Sequence, residues 1–226
     1  MDGLSMPRPM PLATQIARIP LALSLSFALL AFLIHGAPPG EFDRSISRAL
    51  QRYDALELPM RIVSLPADGF IPHLLAVISV LGFLMLGWRR DALLLASTTA
   101  GSAIINGALK LWIERPRPTA SEVRLRGLFE GFSFPSGHVA FFVCYFGVLA
   151  LIASHRVVNL RVRGVAITLC LIPIALIPFS RVYLGAHWPS DTIGSLLWST
   201  AFVAVAWRVY HRNPPRSPNR APPPSS

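Results

Sequence analysis

Six stretches of this chain are apolar for long enough to cross a bilayer, and no other feature restricts its fold as much. Crossing a hydrocarbon core ~30 Å thick takes roughly 17–25 mostly apolar residues. The blocks run over Ile19–His35, Phe70–Trp88, Ala92–Trp112, His138–Ser154, Val165–Pro178 and Pro189–Tyr210. Inside lipid each backbone N–H and C=O must be satisfied within the segment, so blocks of this kind are helices. The expected fold is all-α: a polytopic membrane protein of six transmembrane helices. The fifth block is short and carries Pro173 and Pro178, which predicts a kink. Only 14% of residues are charged, too few for an ordinary soluble surface.

The first block also has the Arg8 and Arg18 flank of a signal peptide. No clean small-x-small cleavage site follows Ile34, and Pro38-Pro39 come at once, so a retained helix is the reading taken. Residues 1–12 and the Pro/Ser-rich 213–226 are expected to be disordered, leaving 13–212 as one domain. Cys144 and Cys170 both lie inside apolar blocks and read as core residues. The net charge of +10 is a topology signal. Arg89, Arg90, Arg156, Arg161, Arg163, Arg208 and Arg212 fall on one side by span counting, and most acids on the other. The positive-inside rule then places both termini in the cytoplasm. No basic strand interleaved with aromatics points to nucleic acid.

Between the first two blocks, Phe42, Ile46, Leu50 and Tyr53 recur at helical spacing with Arg44, Arg48, Arg52 and Asp54 among them. That pattern predicts an amphipathic helix at the membrane surface, which can also serve as a lid over the bundle. The 119–134 loop sets Arg124 and Arg126 beside several aromatics and is expected at the headgroup layer.

Three polar clusters interrupt the apolar pattern: Lys110 with Arg117-Pro118; Pro135-Ser136-Gly137-His138; and Ser180-Arg181 followed by His187 and Asp191. Counting spans brings all three to the outer face. Ionisable groups are costly in a membrane, so their convergence there points to function. Lys110, Arg117 and Arg181 supply cations for a phosphate, Arg with a fork that matches its oxygens. Ser136-Gly137 precede the fourth helix, whose N-terminal N–H groups favour an anion, and Gly137 permits close backbone approach. His187 with Asp191 four residues on reads as a nucleophile whose tautomer is held by a carboxylate, and His138 as the general acid. Arg115, Arg124 and Arg126 are expected in surface pairs or against lipid headgroups, with contact to a second phosphate as the alternative.

In order and spacing the clusters match Lys-x6-Arg-Pro, Pro-Ser-Gly-His and Ser-Arg-x5-His-x3-Asp at every position. The chain resembles the type 2 phosphatidic acid phosphatase superfamily. The resemblance implies a membrane phosphatase that works without metal or other cofactor through a phosphohistidine. It implies that Lys110, Arg117, Ser136, Gly137 and Arg181 hold the phosphate. His138 is implied as acid, His187 as nucleophile and Asp191 as its partner.

The implied partner is a membrane lipid carrying phosphate or diphosphate, in the bacterial inner membrane with the active site extracytoplasmic. Undecaprenyl diphosphate is the first expectation, with phosphatidic acid, phosphatidylglycerol phosphate and lipid A phosphates as alternatives. Vanadium haloperoxidases share the motif architecture, but they are soluble and larger, and the spans argue against that class. A non-catalytic lipid-binding or transport protein is the third class, and the full set of motif residues argues against it.

Overall fold

The computed structural model describes residues 12–212, with side chains from Arg18 onward. The two ends expected to be disordered lie outside that range, apart from Leu12, which opens the first helix. The helices are α1 (Leu12–Ile34), α2 (Glu41–Leu50), α3 (Glu57–Ser64), α4 (Ile71–Met85), α5 (Arg89–Ile113), α6 (Gly137–Arg156), α7 (Leu160–Tyr183) and α8 (Pro189–Arg212). No strand occurs among the described residues.

Four of these, α5 to α8, are long and apolar enough to cross a membrane. The other two sequence blocks are α1 and α4. The 15 residues of α4 extend about 23 Å at ~1.5 Å per residue, short of a full crossing. A fifth span arises only if α4 is joined to the segment ahead of it, from which it is bent by 54°. The fifth block is longer than expected: α7 is one helix of 24 residues that includes both Pro173 and Pro178. A membrane helix tolerates proline because neighbouring groups can satisfy the freed carbonyl.

Helix α6 lies against α5, α7 and α8, and α1 packs along α8. The core that α6 builds includes Val143, Cys144, Tyr145, Val148 and Ile152, closed by Leu94 and Leu95 of α5 and Val203 of α8. Small polar residues are buried at four-residue intervals, Thr98 and Ser102 on α5, Ser195 and Ser199 on α8. Their hydroxyls bond to carbonyls of their own helix, Thr98 Oγ1 to Leu94 O at 2.8 Å and Ser195 Oγ to Asp191 O at 2.8 Å. Small side chains let helices approach closely where lipid offers no hydrophobic drive to association. At Gly194 a Cβ would come within 2.3 Å of the Phe134 ring, so α8 meets the loop ahead of α6 only with glycine there. Large apolar side chains cover the outside, among them Leu25, Leu29 and Phe32 of α1 and Val165, Leu169 and Phe179 of α7. A protein in water rarely exposes so much contiguous apolar area.

The amphipathic α2 exists but faces the other way from a helix on a soluble core. Asp43, Ser47 and Gln51 form its buried stripe, while Phe42 is exposed. It packs against α7 and α8 by its polar face, and Phe42, Ile46 and Leu50 line an apolar groove with residues of those helices. The 119–134 loop is tied down from the same side. Gln51 Nε2 donates to Arg124 O and Tyr183 O, both at 2.8 Å.

Candidate active site

Four helix ends and the segments that join them meet at one end of the bundle and carry every motif residue. Helix α5 ends at Glu114, whose left-handed φ of 51° turns the chain away and leaves Lys110 on the last turn. Helix α6 begins at Gly137 after an extended Ser136. Helix α7 brings Arg181 in its last turn, and α8 places Asp191 in its first. The tight 184–188 link depends on Gly185, at φ +75°, where a Cβ would approach Arg124 O to 2.5 Å.

A cavity of about 370 Å³ opens between these ends, lined by Lys110, Arg117, Gly137, His138, Arg181 and His187 together with Asp68 and Phe129. Ser136 and Asp191 are buried beside it. All eight candidate residues are thus brought together. The Arg117 guanidinium donates to Ala186 O at 2.6 Å and to Glu130 O at 2.9 Å, and its Nη1 lies 3.5 Å from His187 Nε2. The Lys110 ammonium donates to Phe132 O. Ser136 makes no side-chain cap to α6, and its buried Oγ has no partner, nor has Nε of Arg181. Buried polar groups ordinarily find partners, so unpaired ones on residues at a cation-lined cavity suit an anionic ligand.

His187 is 2% exposed. Burial pushes its imidazole down to about 3, against the opposing pull of Asp191, so the ring is neutral at ordinary pH. Its Nδ1 lies 3.6 Å from Asp191 Oδ2, beyond hydrogen-bond reach, and is unpaired. The two side chains are neighbours, as expected from sequence, but the pair is stretched. The reason lies in how Asp191 is held. Its Oδ2 accepts from the Trp188 N–H at 2.7 Å and from the Ser133 hydroxyl, and Oδ1 accepts from Arg115 Nη1 at 2.5 Å.

Arg115 corrects the sequence reading. It is not a surface group: it is buried and bridges two buried carboxylates, Asp191 and Asp43, the latter at 2.7 Å from Nη2. Ser190 joins the cluster, with its N–H and hydroxyl both donating to Asp43 Oδ1. Asp43 was not singled out from sequence. One signal was available: Asp43, Ser47 and Gln51 recur every four residues, a polar stripe that must turn inward when the apolar face meets lipid. Arg124 and Arg126 do pair at the surface, with Asp54 at 3.0 and 2.7 Å. Arg126 also reaches Glu57.

The model of the PAP2 superfamily matches residues 91–215. The phosphatidylglycerophosphatase B of Bacillus subtilis (strain 168) is 33% identical over 181 residues, 77% of this chain and 86% of that protein. The phosphatidylglycerophosphatase B of Escherichia coli (strain K12) is 37% identical over 95 residues, 40% of this chain and 35% of that protein. Among solved structures, a transmembrane PAP2-type phosphatidylglycerolphosphate phosphatase from Bacillus subtilis superposes with a TM-score of 0.74 at 25% identity, covering 88% of this chain and 100% of that one. LpxE of Aquifex aeolicus shares the fold, with a TM-score of 0.56 at 18% identity over 77% of this chain and 97% of that one.

Proposed function

The chain belongs to the PAP2 superfamily, a membrane lipid phosphatase of that kind, and we propose that its substrate is phosphatidylglycerophosphate. The substrate class rests on the two phosphatidylglycerophosphatase relatives, and one observation supports a monoester. The three arginines with a second phosphate as their alternative partner are all engaged: Arg115 with Asp43 and Asp191, Arg124 with Asp54, and Arg126 with Asp54 and Glu57. What remains in the cavity is a cradle for one phosphate. Undecaprenyl diphosphate, the first expectation from sequence, becomes the rival.

In the proposed reaction Lys110, Arg117 and Arg181 neutralise the phosphate, and the N-terminus of α6 at Ser136-Gly137 offers its backbone N–H groups. His187 Nε2, neutral and beside Arg117, attacks phosphorus. The ester P–O bond breaks with its electron pair on the leaving oxygen, which takes a proton from His138. Water then attacks the phosphohistidine and returns a proton to His138, releasing phosphate. Asp191, held by Arg115, orients His187 and offsets the positive charge that its ring gains.

We further propose that α1, and α4 together with α3, complete six spans, with residues 13–212 as one domain. The Arg89, Arg156 and Arg208 end then faces the cytoplasm of a bacterial inner membrane, and the cavity opens on the outer side. Purified protein tests the substrate by phosphate release from phosphatidylglycerophosphate, phosphatidic acid, undecaprenyl diphosphate and lipid A phosphate. The highest kcat/KM is expected for phosphatidylglycerophosphate. A higher value for undecaprenyl diphosphate overturns the monoester assignment and leaves the phosphatase intact.

A further inference from the structure

Asp68 lies in the turn between α3 and α4, outside all three motifs, yet its carboxylate enters the phosphate cavity. Its Oδ1 is 2.6 Å from His138 Nε2 and 3.8 Å from Arg181 Nη1. The turn that carries it is fixed rather than loose. The Asp68 N–H donates to Leu65 O at 3.1 Å, and the Ile71 N–H donates to Asp68 O at 3.1 Å. Just ahead of it, Ser64 at the end of α3 is buried, accepts from Arg181 Nη1 at 3.1 Å and meets Ser180 Oγ at 2.7 Å. Helix α3 is thus bolted to the last turn of α7, and Asp68 is presented to the site by that joint.

The His138 ring shares the cavity with three cations, Lys110, Arg117 and Arg181. A ring that must arrive carrying a proton adds a further positive charge to that company, and like charges at close range repel. A carboxylate at hydrogen-bond distance offsets that repulsion. We propose that Asp68 is a positioning residue for the general acid, holding the His138 ring at Nε2 and supplying the counter-charge that keeps it a donor. The inference rests on the reading of His138 as the acid. In the step it serves, the His187 nitrogen–phosphorus bond forms, the ester P–O bond breaks and the His138 proton passes to the leaving oxygen. Asp68 keeps its charge throughout.

Leaving groups that need a proton to different degrees separate this role from a structural one. Phenyl phosphate has a poor leaving group and needs the acid; p-nitrophenyl phosphate has a good one and hardly does. For each ester kcat/KM reports the phosphorylation step alone, whatever the later hydrolysis does. In Asp68→Asn, the ratio of kcat/KM for p-nitrophenyl over phenyl phosphate is expected to rise roughly 10- to 100-fold, part of what an acid contributes. His138→Gln should raise the ratio further, and Asp68→Glu should return it toward wild type. An unchanged ratio in Asp68→Asn overturns the proposal. If both values fall together, Asp68 serves the fold or the phosphate; if both rise together, it merely competes with phosphate for Arg181. A wild-type protein that cleaves the aryl esters but no lipid contradicts the lipid substrate alone and leaves the Asp68 ratio readable.

Discussion

Replacing Arg115 by methionine removes the one cation shared by Asp43 and Asp191 while roughly keeping the side-chain volume. Both carboxylates are buried, 4% and 0% exposed, so neither can recover its solvation without the site opening. Removing one partner of a buried ion pair costs about 3–5 kcal/mol, and with two carboxylates on one guanidinium the upper end is expected. Asp43→Asn is milder, because the Arg115–Asp191 pair survives at 2.5 Å and an amide can still meet Ser190 and Arg115. Losing one charge-assisted hydrogen bond in this way costs roughly 1.5–3 kcal/mol. The double variant should cost less than the sum of the two, since Asp43→Asn removes one of the charges that Arg115→Met strands. Unfolding in detergent, followed by tryptophan fluorescence, measures all three. Turnover gives a second readout. Arg115 does not line the cavity, so KM should stay near wild type while kcat falls roughly 10–100-fold, the usual effect of losing a group that orients a reacting residue. Wild-type stability and kcat in Arg115→Met, or strictly additive costs, would refute the bridging role.

EDTA should leave phosphate release intact, because Lys110, Arg117 and Arg181 repel a divalent cation, and vanadate should inhibit; strict dependence on added Mg²⁺ would contradict the cation cradle. The neutral His187 has a pH consequence for stability. Its native value lies near 3 against an ordinary 6.5, so below 6.5 the unfolded chain binds a proton that the folded one refuses. Stability should therefore fall as pH drops from about 6.5 toward 3, and less steeply in His187→Gln; parallel pH profiles for the two proteins would contradict the buried neutral ring. For sidedness, a cysteine at the exposed Ser121, with Cys144 and Cys170 removed, should react with an impermeant thiol reagent in intact cells. One at Ser217 should react only after lysis, and the reverse pattern would place the site in the cytoplasm. Ser190 is unsuitable as a probe because it is buried against Asp43.

The convergence of Lys110, Arg117, His138, Arg181, His187 and Asp191 was legible from sequence because it depends only on where apolar blocks end. Alternating ends of four successive blocks share a face once the crossings are counted. What stayed hidden was the network behind those residues. Arg115 stands two positions from a motif arginine and among glutamates, which locally reads as a surface pair. Only the approach of α2, 72 residues earlier, supplies Asp43 and makes it a buried one. The same applies to Asp68, which meets His138 across a separation of 70 residues. The facing of α2 follows from its surroundings. The habit of turning apolar residues inward holds in water, whereas beside lipid the polar stripe Asp43-Ser47-Gln51 is the packing face. For α7, the apolar block Val165–Pro178 is shorter than the helix, Leu160–Tyr183, because local rules for proline take no account of the packing around a membrane helix.

The nucleophile carries the whole mechanism, and it can be observed directly. Purified protein mixed with lipid labelled in its terminal phosphate and quenched within the first turnover should carry label that survives alkali and is lost in acid, as a phosphohistidine does. The labelled peptide should contain His187, Asp191→Asn should label more slowly, and His187→Ala should neither label nor release phosphate above background. Label retained in His187→Ala, or placed on any other residue, would contradict the assignment of His187.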